Sequence, residues 1–266
     1  KFFDRMKNEG IKVKPFMPVR FPALTGKVNY RNHRKICIID GEVGFIGGMN
    51  IAMRYIKGES GRPWRDTHLR IVGGAVYALQ RAFLIDWYFV DRSPIQPWPD
   101  IMQGYVKILL EAKKYVYMET PYFLPTEPIL FAMRTAALSG VDVRLMVPLH
   151  GDSKILEWAC KSYLGEVVEA GVKVYLYQPG FNHSKIMVSD DYLSTCGSTN
   201  IDFRSFENNF ESNIFFYDNE MALRIKNIYL EDEENCIDIE EVHDFTHRSF
   251  IQRLWESLVR LLSPLL

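Results

Sequence analysis

Two histidines in this 266-residue chain stand in the same company: His33 precedes Lys35, and His183 precedes Lys185. In an extended segment side chains alternate between faces, so each histidine shares a face with its lysine. An imidazole beside an ammonium suits an anionic phosphoryl group. The imidazole can attack phosphorus or move a proton, and the ammonium can bind the non-bridging oxygens. One His-x-Lys means little, because a half-buried strand with a polar edge also produces it. Here the spacing continues. His33, Lys35, Asp40, Gly47, Gly48 and Asn50 match His183, Lys185, Asp190, Gly197, Ser198 and Asn200, each pair 150 residues apart. A duplicated set at constant spacing is a strong signal.

Each copy reads as a β-hairpin. Ile186 and Val188 point to a core, Asp190 and Asp191 form the turn, and residues 193–198 return, with Ser198 and Asn200 on one face. Two such hairpins supply two imidazoles, two ammonium groups and two amides. A phosphodiester resists water, so a covalent route divides the task. One neutral histidine attacks; the other starts protonated, releases its proton to the leaving alkoxide, and then serves as base toward an incoming alcohol. His33 is taken as nucleophile and His183 as acid/base. Asp40 and Asp190 belong to the repeat, but they sit in the turns, at odd spacing from their histidines. They read as turn-stabilising.

The pattern H-x-K-x4-D-x6-G-[GS]-x-N in two copies resembles the phospholipase D superfamily. The phrases NYRNHRKICIIDG (29–41), WRDTHLRI (64–71), TPYFLP (120–125) and GSTNIDFRSFENNFESN (197–213) are similar to bacterial cardiolipin synthases. The resemblance implies an α/β phospholipase D-like fold of two pseudo-symmetric halves, each a mixed sheet flanked by helices. It implies a phosphohistidine route without metal or cofactor, and an acid after each motif that orients the histidine. Asp66 and Glu211 lie at the matching places. It further implies that two phosphatidylglycerol molecules become cardiolipin plus glycerol at the bacterial cell membrane. The alternative is a phospholipase D-type hydrolase.

The remaining composition is compatible with that chemistry. With 47% hydrophobic residues the chain can bury a core. A net charge of −1 gives no general attraction to nucleic acid, so a nuclease is disfavoured and no nucleic-acid partner is expected. A non-catalytic membrane scaffold would not be expected to keep both histidines and both lysines. Cys37, Cys160, Cys196 and Cys236 form no C-x-x-C and read as free thiols. No H-x-x-x-H or Asp-rich cluster suggests a metal site. Residues 75–90 read as a buried amphipathic helix, since Gln80, Arg81 and Asp86 interrupt the apolar run.

The halves are expected at 1–92 and 101–266, joined by a Pro-rich linker at 93–100. Residues 7–18 resemble 168–179, a helix end and a strand leading to the motif. Helix and strand material precedes that point only in the second half. The first half is therefore expected to lack its opening elements, and membrane-spanning helices are expected upstream. Arg20, Lys27, Arg31 and Arg34 form a candidate anionic-headgroup patch. Tyr122, Phe123, Leu124 and Phe16 are candidate apolar lining, and EDEEN (231–235) reads as a solvated helix end. In the tail, Leu254, Trp255, Leu258, Leu261 and Leu262 share a helical face. That face either docks on the body or lies at a membrane surface.

Overall fold

The computed structural model describes residues 1–18, 30–89 and 99–265. Along the first motif run α1 (Phe2–Asn8), β1 (Arg31–Asn32), β2 (Ile36–Ile39), β3 (Val43–Gly47), α2 (Arg54–Lys57), β4 (Trp64–Arg65), β5 (His68–Val72) and α3 (Val76–Phe89). Then come α4 (Asp100–Glu111), β6 (Tyr115–Glu119), β7 (Phe123–Leu124), α5 (Glu127–Leu138), β8 (Asp142–Pro148), α6 (Lys154–Glu169) and β9 (Lys173–Tyr177). The second motif lies in β10 (Phe181–Asn182), β11 (Ile186–Ser189), β12 (Leu193–Gly197), β13 (Ile201–Asp202), α7 (Phe203–Glu207), β14 (Asn209–Phe210) and β15 (Asn213–Tyr217). The chain closes with α8 (Asn219–Glu233), β16 (Cys236–Asp238), α9 (His243–Thr246) and α10 (Phe250–Arg260).

The repeat is visible in the backbone. β2 and β3 pair antiparallel with Ile36 opposite Ile46, and β11 and β12 pair with Ile186 opposite Cys196. Their turns hold Asp40 and Asp190 at φ +52° and +53°. Aspartate tolerates this left-handed geometry because its short side chain bonds locally. The sheets differ in size. The second motif joins a seven-stranded sheet ordered β15-β12-β11-β6-β8-β9-β16, whereas the first belongs to β2-β3-β5.

Both faces of the large sheet are covered, which explains the nearly continuous apolar runs of β6 and β8. Val116 and Met118 face a core shared with α4, α5 and α6. Tyr115 and Tyr117 face the opposite cluster, closed by Ala222, Ile225 and Tyr229 of α8.

Several expectations need correction. Residues 11–16 form no strand; a strand needs a neighbour for its backbone groups, and none lies there among the described residues. The helix over 76–89 forms but is not buried. Tyr77, Phe83, Leu84 and Tyr88 are exposed, while Val76 and Leu79 pack inward. Helix α4 begins at Asp100, inside the expected linker, whose residues 93–98 lie outside the described ones. The acidic cluster is solvated only in part: Glu231, Glu234 and Asn235 are exposed, but Asp232 and Glu233 turn inward to Arg65 and Arg144. The tail helix docks on α6 by the face opposite its leucine stripe, burying Glu256 and Val259. Leu254, Trp255, Leu258, Leu261 and Leu262 stay exposed.

Candidate active site

Two short strand pairs decide where each histidine goes. β1 runs parallel to β14, and the His33 N–H then donates to the Phe210 carbonyl at 3.0 Å. β10 runs parallel to β4, and the His183 N–H donates to the Arg65 carbonyl at 2.7 Å. The next residues on the partner strands are Glu211 and Asp66. Each acid thus meets the histidine of the other motif. Glu211 Oε1 lies 3.1 Å from His33 Nδ1, and Asp66 Oδ2 lies 2.8 Å from His183 Nδ1. Proximity along the chain pairs each acid with the motif it follows; the fold swaps them.

The lysines complete a tight electrostatic group. Lys35 Nζ donates to the His33 carbonyl at 2.6 Å, and Lys185 Nζ donates to the His183 carbonyl at 2.5 Å. Burial pushes Lys185 down to about 7, against the pull of Asp66. Burial also lowers Lys35, opposed by Glu211 and Asp66. Three polar atoms converge on His183 Nδ1: Asp66 Oδ2, Lys185 Nζ at 3.0 Å and the Tyr55 hydroxyl at 3.1 Å. Burial, then the Lys185 charge, hold His183 down to about 4 despite Asp66, so its imidazole is neutral at pH 7. The His183 side chain is 10% exposed, that of His33 38%. With Nδ1 turned to an acid, each ring presents Nε2 to a substrate.

The small residues of the repeat make room for the acids. A Cβ on Gly48 would sit 2.4 Å from Asp66 Oδ1, so only glycine admits the carboxylate there. At the matching position Ser198 donates its hydroxyl to Glu211 Oε2 at 2.5 Å. Gly47 and Gly197 press against the following strands, where a Cβ would meet the Thr67 and Ser212 carbonyls at 2.6 and 2.3 Å. Asn50 donates to the Tyr55 hydroxyl at 3.4 Å, and Asn200 to Asp202 at 3.0 Å. Asp190 stands apart from the histidines. Its carboxylate accepts the backbone N–H groups of Lys113, Lys114 and Tyr115, tying the hairpin to the start of β6. Asp40 occupies the equivalent turn.

Sequence reasoning missed Tyr55 and a buried network beneath His183. Glu119 accepts from Asn182 at 3.2 Å, and the Asn182 side-chain Oδ1 accepts the Ser184 N–H at 3.0 Å. Burial raises the Glu119 carboxyl to about 7, against Arg65. Arg65 reaches Asp232 at 2.5 Å and so anchors the β4 segment to α8. The only signal for it was its place inside the WRDTH phrase; Tyr55 had none.

Other expectations are redistributed. Phe123 and Leu124 are core residues. Tyr122 lies near the site, its ring 6.1 Å from Phe181, whose ring is 6.0 Å from His183. Phe16 packs 5.0 Å from Phe210, on the His33 side. Arg34, a candidate headgroup residue, donates to Asp86 at 2.6 Å and to the Glu211 carbonyl at 3.0 Å. Arg20 and Lys27 lie outside the described residues.

A family profile described as "Cardiolipin synthase, PLD-like domain" matches residues 105–232. Cardiolipin synthase of Geobacillus thermodenitrificans is 42% identical over the whole chain, which covers 58% of that relative. That of Listeria innocua is 39% identical, with 61% covered. The chain is similar to the phospholipase D superfamily and, within it, to cardiolipin synthases, and it spans about 58% of the length of the first of these relatives. The fold agrees: phosphatidylserine synthase of Haemophilus influenzae superposes with a TM-score of 0.75 at 15% identity, covering 99% of this chain and 77% of that one. In this phospholipase D-like protein the sheets, helices and paired hairpins follow the architecture expected from the repeat.

Proposed function

We propose that the protein is a phosphatidyltransferase that joins two phosphatidylglycerol molecules into cardiolipin and releases glycerol. The observation that carries this reading is the crossed site, with two histidines each backed by an acid from the other motif and two buried lysines. It occurs in a chain similar throughout to cardiolipin synthases. The functional units are the two motif-bearing halves, 1–92 and 101–266. Neither half holds a complete His–acid pair.

In the first step an imidazole Nε2 attacks phosphorus, a P–N bond forms, and the P–O bond to glycerol breaks. The second histidine gives its proton to the departing glycerol oxygen. In the second step the same histidine takes the proton of the terminal hydroxyl of another phosphatidylglycerol. That oxygen attacks phosphorus, and the P–N bond breaks. Lys35 and Lys185 stabilise the non-bridging oxygens, with Asn50 and Asn200 as nearby amides. We assign the attack to His183, reversing the sequence-based choice of His33. An attacking imidazole must be neutral, and burial beside Lys185 keeps it so. The more open His33 then serves the leaving and entering alcohols.

Two further features support a lipid substrate at a membrane surface. A cavity of about 150 Å³ opens beside Tyr122, walled by Leu149, Leu156, Leu164, Leu176 and Phe245, with room for apolar chain. The outward stripe of α10 exposes Leu254, Trp255 and Leu258 by about half, suiting the interfacial layer of a bacterial cell membrane. Among the described residues no helix is long and apolar enough to cross one.

The test supplies phosphatidylglycerol alone in mixed micelles, with products resolved by mass spectrometry. Cardiolipin plus glycerol, abolished in His33→Ala and His183→Ala, is the expected result. Phosphatidic acid as the main product would replace transfer with hydrolysis.

A further inference from the structure

One cation beside the site has no role in the scheme above. Arg54 opens α2, four residues after Asn50, and its guanidinium lies 4.4 Å over the Trp64 ring. That indole is 5.8 Å from the His183 ring, so a single aromatic separates Arg54 from the reacting centre. Arg34, Arg65 and Arg144 all pair with carboxylates: Asp86, Asp232 and Glu233. Arg54 pairs with none among the described residues, and its buried Nε finds no acceptor. The neighbouring acids are engaged elsewhere. Asp152 accepts the Tyr122 hydroxyl at 2.6 Å, and Asp202 accepts from Asn200 and from the Ser205 N–H at 3.0 and 2.6 Å. A guanidinium held on an aromatic face without a carboxylate partner is a seat for an anion that arrives with a ligand.

The chemistry names the anion. The two lysines are committed to the phosphoryl group under attack, so a second anion must come from the other reactant. A phosphatidylglycerol acceptor carries its own phosphodiester one glycerol away from the attacking hydroxyl. We propose that Arg54 binds the phosphodiester of the acceptor lipid and thereby selects an anionic lipid alcohol over a neutral one. The inference rests on the phosphatidyl-transfer reading. It adds what the acceptor's phosphodiester rests on, while the acceptor's hydroxyl still reaches phosphorus from the His33 side. Tyr122, which lines the apolar cavity, would flank that acceptor.

The test reads how one phosphatidyl-enzyme divides between competing acceptors, which cancels any effect on the donor. Labelled phosphatidylglycerol is the donor, with unlabelled phosphatidylglycerol, diacylglycerol and 1-propanol present together. The wild type should favour cardiolipin over the diacylglycerol product by about tenfold or more at equal acceptor concentration, the size of one lost charge-assisted contact. In Arg54→Gln the ratio of cardiolipin to phosphatidylpropanol should fall about tenfold, with Arg54→Lys in between. A ratio in Arg54→Gln within about twofold of wild type would overturn the assignment. So would a wild type that uses the anionic and neutral lipid alcohols equally, a result independent of whether any variant folds. A wild type forming neither cardiolipin nor phosphatidylpropanol would instead remove the transfer reading itself.

Discussion

Asp66→Asn should disable His183, the histidine 117 residues away in sequence, and leave His33 unaltered. The carboxylate lies 2.8 Å from His183 Nδ1, is itself fully buried, and takes a second bond from the Thr67 N–H at 2.8 Å. A charge-assisted hydrogen bond of this kind contributes about 1.5–3 kcal/mol. Its loss corresponds to roughly a 10- to 150-fold drop in kcat. Asparagine can also present its amide to Nδ1. The ring would then carry its proton on Nε2, the nitrogen that must attack, and the drop would be larger. Nitrogen-15 shifts of the two rings, with kcat measured on phosphatidylglycerol, separate the effects. Asp66→Asn should convert His183 from Nδ1–H to Nε2–H with His33 unchanged. Glu211→Gln should do the converse through its 3.1 Å contact with His33. If Asp66→Asn alters the His33 tautomer and spares His183, the crossed arrangement is wrong.

Further outcomes follow from the structure. Gly48→Ala should drive Asp66 from its seat, at a cost of about 1–3 kcal/mol in urea unfolding and a marked loss of activity. Gly74→Ala, where a Cβ meets nothing within 4 Å, should be silent in both assays. Lys185 has a native pKa pushed to about 7, below its unfolded value, so the unfolded chain binds the extra proton above pH 7. Stability from this group therefore rises between about pH 7 and pH 10, and Lys185→Met should lose that rise in urea midpoints compared across the range. Leu254→Glu with Leu258→Glu, on the exposed stripe of α10, should reduce co-sedimentation with phosphatidylglycerol vesicles and leave the thermal midpoint nearly unchanged. Unaltered vesicle binding would remove α10 from the membrane contact.

The chemistry-bearing residues were legible because their spacing is enforced locally. A hairpin of fixed length carries His-x-Lys into one strand, an aspartate into the turn and glycine into the return, and two copies reveal one another. Failures came where a distant partner decides. Residues 11–16 have strand-like composition, but a strand needs a neighbour. Asp232 and Glu233 look like a solvated helix end until Arg65 and Arg144 reach them from other elements.

By itself, then, the sequence determined which groups form the candidate site and that they come in two sets, because period and spacing are properties of neighbours along the chain. Tertiary structure alone decided how the sets combine. The parallel pairs β1–β14 and β4–β10 carry each acid across to the opposite histidine. Packing against Trp64 then sets where Arg54 sits, and burial beside Lys185 keeps the His183 imidazole neutral. Those outcomes depend on contacts between segments more than a hundred residues apart, and on water excluded from between them, and neither is encoded in any local pattern.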